Sequence, residues 1–307
     1  MQNAAPPEVE GEYRALLARE GLEHLLATES PFATVDAELR ATITASGVDL
    51  PEPTYVGEFP HRSLHAQARA VPGGTLILLD TGLRTLLDSM AVTTVASQLT
   101  FTRDEAGKVR HEVATPQQHR RRAEADTALA AAIVAYVCQV GARPAAPPRA
   151  ALDPPSAFGI FLARSAERFA IGHEYGHLLA GHRHTPPESN PESMRRECEA
   201  DELAALLIMR GLDESTQFIW RVLAVAGPFF FLAVEHLVAR VRQEITDLAR
   251  DPIAPTHPPS DARATQLRGI VAQLGERNLL QLAEAWASSL ALREPTIVRN
   301  AHQSVRS

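Results

Sequence analysis

Residues 169–184 read FAIGHEYGHLLAGHRH, with four histidines and one glutamate among them. His173 and His177 stand four apart, so on a helix both imidazoles rise from one face and can reach the same ion. Glu174 lies one residue off that line, where it can take a proton from a metal-bound water. Together they form the H-E-x-x-H spacing of a zinc peptidase helix. In a chain of 307 residues with 12 histidines this spacing needs support from elsewhere. Catalytic zinc requires a third protein ligand and one position open to water.

Three sources of that ligand are available. The extended arrangement H-E-x-x-H-x-x-G-x-x-H would need Gly at 180 and His at 183, but Ala180 and Arg183 stand there. His182 and His184 follow the helix end signalled by Gly181, so both are expected to be loop bystanders. The stretch RRECEADELAALLIM, residues 195–209, places Glu197 and Asp201 on one helical face, with Leu203, Leu206 and Leu207 facing a core. Glu197 is the expected third ligand. Asp201, one turn later, is placed to accept the free N–H of a ligand histidine and so set its tautomer. Glu199 and Glu202 are expected to be solvated, Cys198 to be a buried thiol, and Tyr175 to pack against the domain.

The elements that must position these residues can be traced outward. Ser156 follows Pro154-Pro155 as a helix N-cap, and Phe158, Phe161, Leu162, Phe169, Gly172 and Gly176 form one stripe with the two histidines. Proline-rich joints at 142–156, 184–191 and 251–260 separate further helices, including one expected over 123–140. Earlier, AQARAVPGGTLILLDTGL (66–83) has a Pro-Gly-Gly turn, a short apolar run at 75–79 read as a buried strand, and a helix from about Thr81. HEVATP (111–116) is a second, weaker strand candidate, and YRALLAREGLEHLLA near the start reads as helix. The fold class is therefore α+β, mostly α, with a small sheet.

Composition narrows the class. A net charge of −7 and a pI near 6.0 argue against nucleic-acid binding, and 45% hydrophobic residues indicate a globular chain. Two cysteines are too few for a disulfide framework, and the first residues lack a signal-peptide pattern, so a cytoplasmic setting is expected. The apolar run VLAVAGPFFFLAV (222–234) is shorter than the roughly 20 residues of a spanning helix. It reads as a buried core helix kinked at Gly227-Pro228.

Several of these stretches resemble one family. HEYGH followed by RECEAD is similar to the H-E-x-G-H and E-x-x-x-D signature of the gluzincin peptidases, including the HtpX-like and CAAX prenyl endopeptidase group. Residues 66–83 resemble that group's N-A-F-x-x-P-G-G strand, and THPPSDARATQL (256–267) resembles its T-H-P-x-x-x-x-R element. These matches occur in the family order over residues 66–267. The short gap between His177 and Glu197 looks more like the soluble ImmA/IrrE-type and phage-exclusion Lit-like peptidases.

The resemblance implies a zincin-like metallopeptidase core with a small sheet beside the H-E-x-x-H helix, occupying residues 61–275. Outside the span of the resemblance, residues 1–60 read as a helical or irregular N-terminal region open to a partner-binding or inhibitory role, and 276–307 as a C-terminal helix and tail. The resemblance implies a Zn²⁺ ion on His173, His177 and Glu197, and Glu174 as general base. His257 and Arg263 become candidates for stabilising the oxyanion, and the strand at 75–79 would border the cleft and accept a substrate strand. The expected function is a zinc-dependent endopeptidase acting on a protein or peptide. The alternative is a zinc-binding regulatory or interaction protein with little turnover.

Overall fold

The fold is taken from a computed structural model that describes residues 7–27, 30–60, 66–105, 109–115, 117–118, 133–134, 154–182, 190–212, 216–246, 258–274 and 277–306. The apolar run after Gly74 is a strand, as its composition predicts, and it is buried on both faces. β1 (Thr54–Glu58), β2 (Gln67–Val71) and β3 (Gly74–Leu79) form one sheet in the order β1-β3-β2. β1 runs parallel to β3, with Tyr55 opposite Leu76, and β2 runs antiparallel to it, with Ala68 opposite Ile77.

Side chains alternate across β3 with the two-residue repeat of a strand. Leu76 and Leu78 pack on Val9, Tyr13, Leu16 and Leu17 of helix α1 (Pro7–Arg19). Ile77 and Leu79 face the main core. Each fully buried leucine contributes about 1.5–3 kcal/mol relative to exposure, so both faces of this strand anchor the sheet. The Tyr13 hydroxyl ties α1 to the end of β1 by donating to the Glu58 carbonyl at 2.7 Å.

Helix α2 (Ala33–Ala45) sends Val35, Leu39 and Ile43 into the core that also holds Phe169 and Tyr175. The boundary expected near residue 60 therefore does not divide the packing: α2 and β1 belong to the same body as the motif helix. A separable N-terminal region would have to leave that core.

Helix α3 (Leu83–Gln98) follows the sheet, and a hairpin of β4 (Leu99–Arg103) and β5 (Val109–Val113) comes next. Residues 111–113 of the strand candidate at 111–116 lie in β5, and its partner β4 carries the alternation Leu99-Thr100-Phe101-Thr102 of a strand. The helix expected over 123–140 falls almost wholly outside the described residues.

The motif helix, α4 (Pro154–Leu179), starts two residues before Ser156, with proline in its first turn, where an N–H has no helical partner to lose. It lies among α3, α5 (Asn190–Arg210) and α6 (Phe218–Thr246). Helix α6 is longer than its apolar run suggested, and Phe218–Glu244 is long and apolar enough to cross a membrane by length and composition. In this fold 83% of its most apolar window is buried. Helices α7 (Ser260–Gln273) and α8 (Arg277–Arg306) complete the bundle, and α8 adds Leu279, Ala283, Trp286, Leu290 and Ile297 to the core.

Candidate metal centre

The site forms where α4 and α5 approach through small residues. A Cβ on Gly176 would lie 2.6 Å from the Ala200 carbonyl oxygen, so the two backbones touch at this level. One turn away, Gly172 meets Ala204 at an ordinary 3.4 Å. His173 and His177 each follow one of these glycines, and Glu197 and Asp201 flank Ala200. Close packing of the small residues therefore turns the two polar pairs toward each other.

The Nε2 atoms of His173 and His177 are 3.1 Å apart. Glu197 places one carboxylate oxygen 3.3 Å from His173 Nε2 and the other 3.4 Å from His177 Nε2. Ligands at ~2.05 Å around a tetrahedral ion stand about 3.3 Å from one another, so these spacings fit a zinc-sized site. Two imidazoles and one carboxylate form the donor set of catalytic rather than structural zinc sites. The three residues constitute a cluster that could hold a metal ion, as the sequence predicts.

His173 is held from behind. Its Nδ1 lies 2.8 Å from Asp201 Oδ1, leaving Nε2 toward the cluster. Asp201 in turn accepts from Arg263 at 2.8 Å (Nε) and 2.7 Å (Nη2), and Arg263 also reaches Glu235 at 3.2 Å. Burial opposes charge on both partners. Against that penalty, hydrogen bonds from Arg263 and His173 hold the Asp201 carboxyl down at about 2. Burial likewise disfavours a protonated His173, but the Asp201 and Glu197 carboxylates outweigh it and lift this histidine to about 10. The same negative potential favours a cation between the imidazoles. Asp201 thus sits directly behind the His173 ring, on the side away from His177 and Glu197. Arg263 is buried on Asp201 and Glu235 and does not face the cleft as an oxyanion donor.

His177 also has a partner, contrary to the expectation for His182. Gly181 adopts φ +68, a left-handed conformation that suits glycine. The chain then closes a Schellman turn, with Gly181 N–H on Leu178 O at 3.1 Å and His182 N–H on His177 O at 2.9 Å. This fold-back brings His182 Nδ1 to 2.9 Å from His177 Nδ1, and His182 Nε2 to 3.2 Å from Glu199 Oε2. Burial and the nearby His177 push the His182 pKa down. Glu199 is therefore not simply a solvated charge, whereas Glu202 is exposed as expected. His184 and His257 lie outside the described residues.

Glu174 points to the sheet. Its Oε2 accepts the Ala68 backbone N–H at 3.0 Å, so β2 is the strand beside the site. This corrects the expected placement of the strand at 75–79. β3 is the middle strand, with both backbone edges already paired, and cannot accept another chain. Tyr175 is buried on the opposite side of α4, where its hydroxyl donates to Asp36 of α2. Nothing in composition pointed to Ala68. His182 could have been found, because a C′ glycine at 181 makes 182 the residue that folds back on 177.

Residues 89–283 match the family model described as Peptidase U49. The chain belongs to the Peptidase U49 family. No match is found among curated proteins or among solved structures. The Peptidase U49 span contains His173, Glu174, His177, Glu197, Asp201 and Arg263, so membership makes the chain a peptidase in the region that carries the cluster. The sheet with Ala68 precedes the span matched to Peptidase U49, although it touches Glu174.

Proposed function

We propose that this member of the Peptidase U49 family is a zinc-dependent endopeptidase of gluzincin type. The observation that carries the reading is the meeting of His173, His177 and Glu197 at tetrahedral spacing, with Glu174 turned to a strand edge. His173, His177 and Glu197 would hold the zinc ion, which would supply a Lewis acid for the scissile carbonyl and lower the pKa of a bound water. Glu174 takes the proton of the attacking water and returns it to the departing amine nitrogen. The products are a new carboxyl terminus and a new amino terminus. The Ala68 N–H orients the Glu174 carboxylate for both transfers.

The substrate is a protein or peptide in extended conformation. β2 is the outer strand of its sheet, and Ala68 directs its N–H away from β3. By the two-residue repeat Ala70 faces the same way, so a substrate strand can add along this edge next to the metal residues. His257, four positions before Asp261 of α7, is retained as the proposed oxyanion donor on the strength of the T-H-P resemblance. A cytoplasmic site of action agrees with the low cysteine content.

Metal analysis of purified protein is expected to give one zinc per chain, lost in Glu197→Ala. A search for new protein termini, comparing wild type with Glu174→Gln, is expected to find cleavage with wild type alone. Glu174→Gln should keep its zinc. Cleavage undiminished in Glu174→Gln would overturn the general-base assignment, and absence of zinc from the wild type would overturn the metallopeptidase reading. Zinc without cleavage would favour the regulatory alternative.

A further inference from the structure

We infer that His182 and Glu199 form a second positioning arm, holding His177 for the metal as Asp201 and Arg263 hold His173. The inference rests on His177 being a metal ligand. It concerns the ring nitrogen that faces away from the cluster.

The Schellman turn creates the arm. In this turn the residue after the left-handed glycine folds back on the helix three residues before the cap, a contact that is ordinarily apolar. Here the two positions are His182 and His177, and their rings lie 5.2 Å apart at 60°. The His182 side chain is 7% exposed, so this is an internal contact and not a loop residue in water.

Hydrogen-bond direction follows from counting protons. Two Nδ1 atoms at 2.9 Å can share only one hydrogen. His177 Nε2 faces His173 and Glu197, so as a ligand it must offer its lone pair there. Its hydrogen therefore sits on Nδ1 and is donated to His182 Nδ1. His182 then carries its own hydrogen on Nε2 and donates it to Glu199 Oε2 at 3.2 Å. Arg195 Nη1 donates to the same Glu199 oxygen at 2.8 Å and holds the far end. Every group in the series has one role, and reversing any bond would place the His177 hydrogen on the ligand nitrogen.

The two arms differ in depth. Asp201 is 0% exposed, whereas the Glu199 side chain is 42% exposed. The His182 arm is therefore the softer one, open to water at its carboxylate end. Removing an outer partner of a ligand histidine costs about 10–100-fold in metal affinity, and the His182 arm belongs at the lower end of that range.

The test is zinc affinity of the full chain, measured by chelator competition, for His177→Ala, His182→Phe and His182→Gln. His182→Phe keeps a ring in the fold-back contact but cannot accept a hydrogen bond, and is expected to weaken zinc binding about tenfold. His182→Gln, whose amide oxygen can accept from His177 Nδ1, is expected to recover most of that loss. Thermal melting of the zinc-free variants shows whether each one folds. Wild-type affinity in His182→Phe, or equal losses in His182→Phe and His182→Gln, would overturn the inference. Unchanged affinity in His177→Ala would instead overturn the metal-ligand reading beneath it.

Discussion

Arg263 and Asp201 form a two-pronged ion pair in the interior, 1% and 0% exposed, with the Asp201 carboxylate also serving His173. Desolvating both charges is costly, so the pair stabilises only while it is complete. Removing Arg263 leaves Asp201 and Glu235 facing each other without their shared cation. Arg263→Leu is expected to lose about 3–5 kcal/mol in denaturant unfolding. Arg263→Lys should rescue little, because an ammonium cannot reproduce the paired N–H geometry.

Gly176 sets the distance between the two helices that carry the His173, His177 and Glu197 cluster. In Gly176→Ala the new methyl would meet the Ala200 backbone at 2.6 Å, and backbone gives way less readily than a side chain. Overpacking of this kind costs about 1–3 kcal/mol, and separation of the helices should weaken zinc binding as well. Gly172→Ala, with Ala204 at 3.4 Å, is the matched control and should change both quantities far less. Unfolding and chelator titrations of the two variants check this directly.

Ala68 uses its N–H for Glu174 and leaves pairing with β3 to its neighbours. Proline is tolerated on an outer strand where the lost N–H faces away from the sheet. Ala68→Pro is therefore expected to fold, to bind zinc as wild type does, and to cleave substrate at least tenfold more slowly, in the range seen for misplaced catalytic groups. Circular dichroism, metal content and cleavage rate together report the outcome.

Tyr13 gives the fold an alkaline limit. Burial, with smaller contributions from Tyr55 and Glu58, raises its phenol pKa above the ordinary 10.0. In the unfolded chain this hydroxyl ionises near 10, while in the fold it stays protonated. The stability it contributes is present below pH 10 and is lost as pH rises toward the folded pKa. Urea midpoints between pH 9 and pH 11 should fall less steeply for Tyr13→Phe than for wild type.

Local patterns in the chain were enough to bring out the His173, His177 and Glu197 cluster and most of the described elements. His173 and His177 share a helical stripe with Glu174 one residue off it, Glu197 and Asp201 stand one turn apart, and Gly181 ends the helix where its backbone freedom predicts. Those are short-range regularities of 3.6-residue and two-residue repeats, and they survive without knowledge of neighbours. The order of strands did not follow from them. Only pairing in space made β2 the outer strand and β3 the inner one, because an apolar run is compatible with either place.

The partners of each polar group were likewise decided by the tertiary structure. From the T-H-P resemblance Arg263 is a candidate oxyanion donor, whereas its burial against Asp201 and Glu235 makes it their counterion. His182 looked like a loop residue until the Schellman turn returned it to His177. Residues 1–60 read as a region of their own, and it is the packing of α2 and β1 that joins them to the common core. In each case the deciding contact joins residues whose mutual distance no local repeat specifies, since it depends on how closely helices and strands can approach.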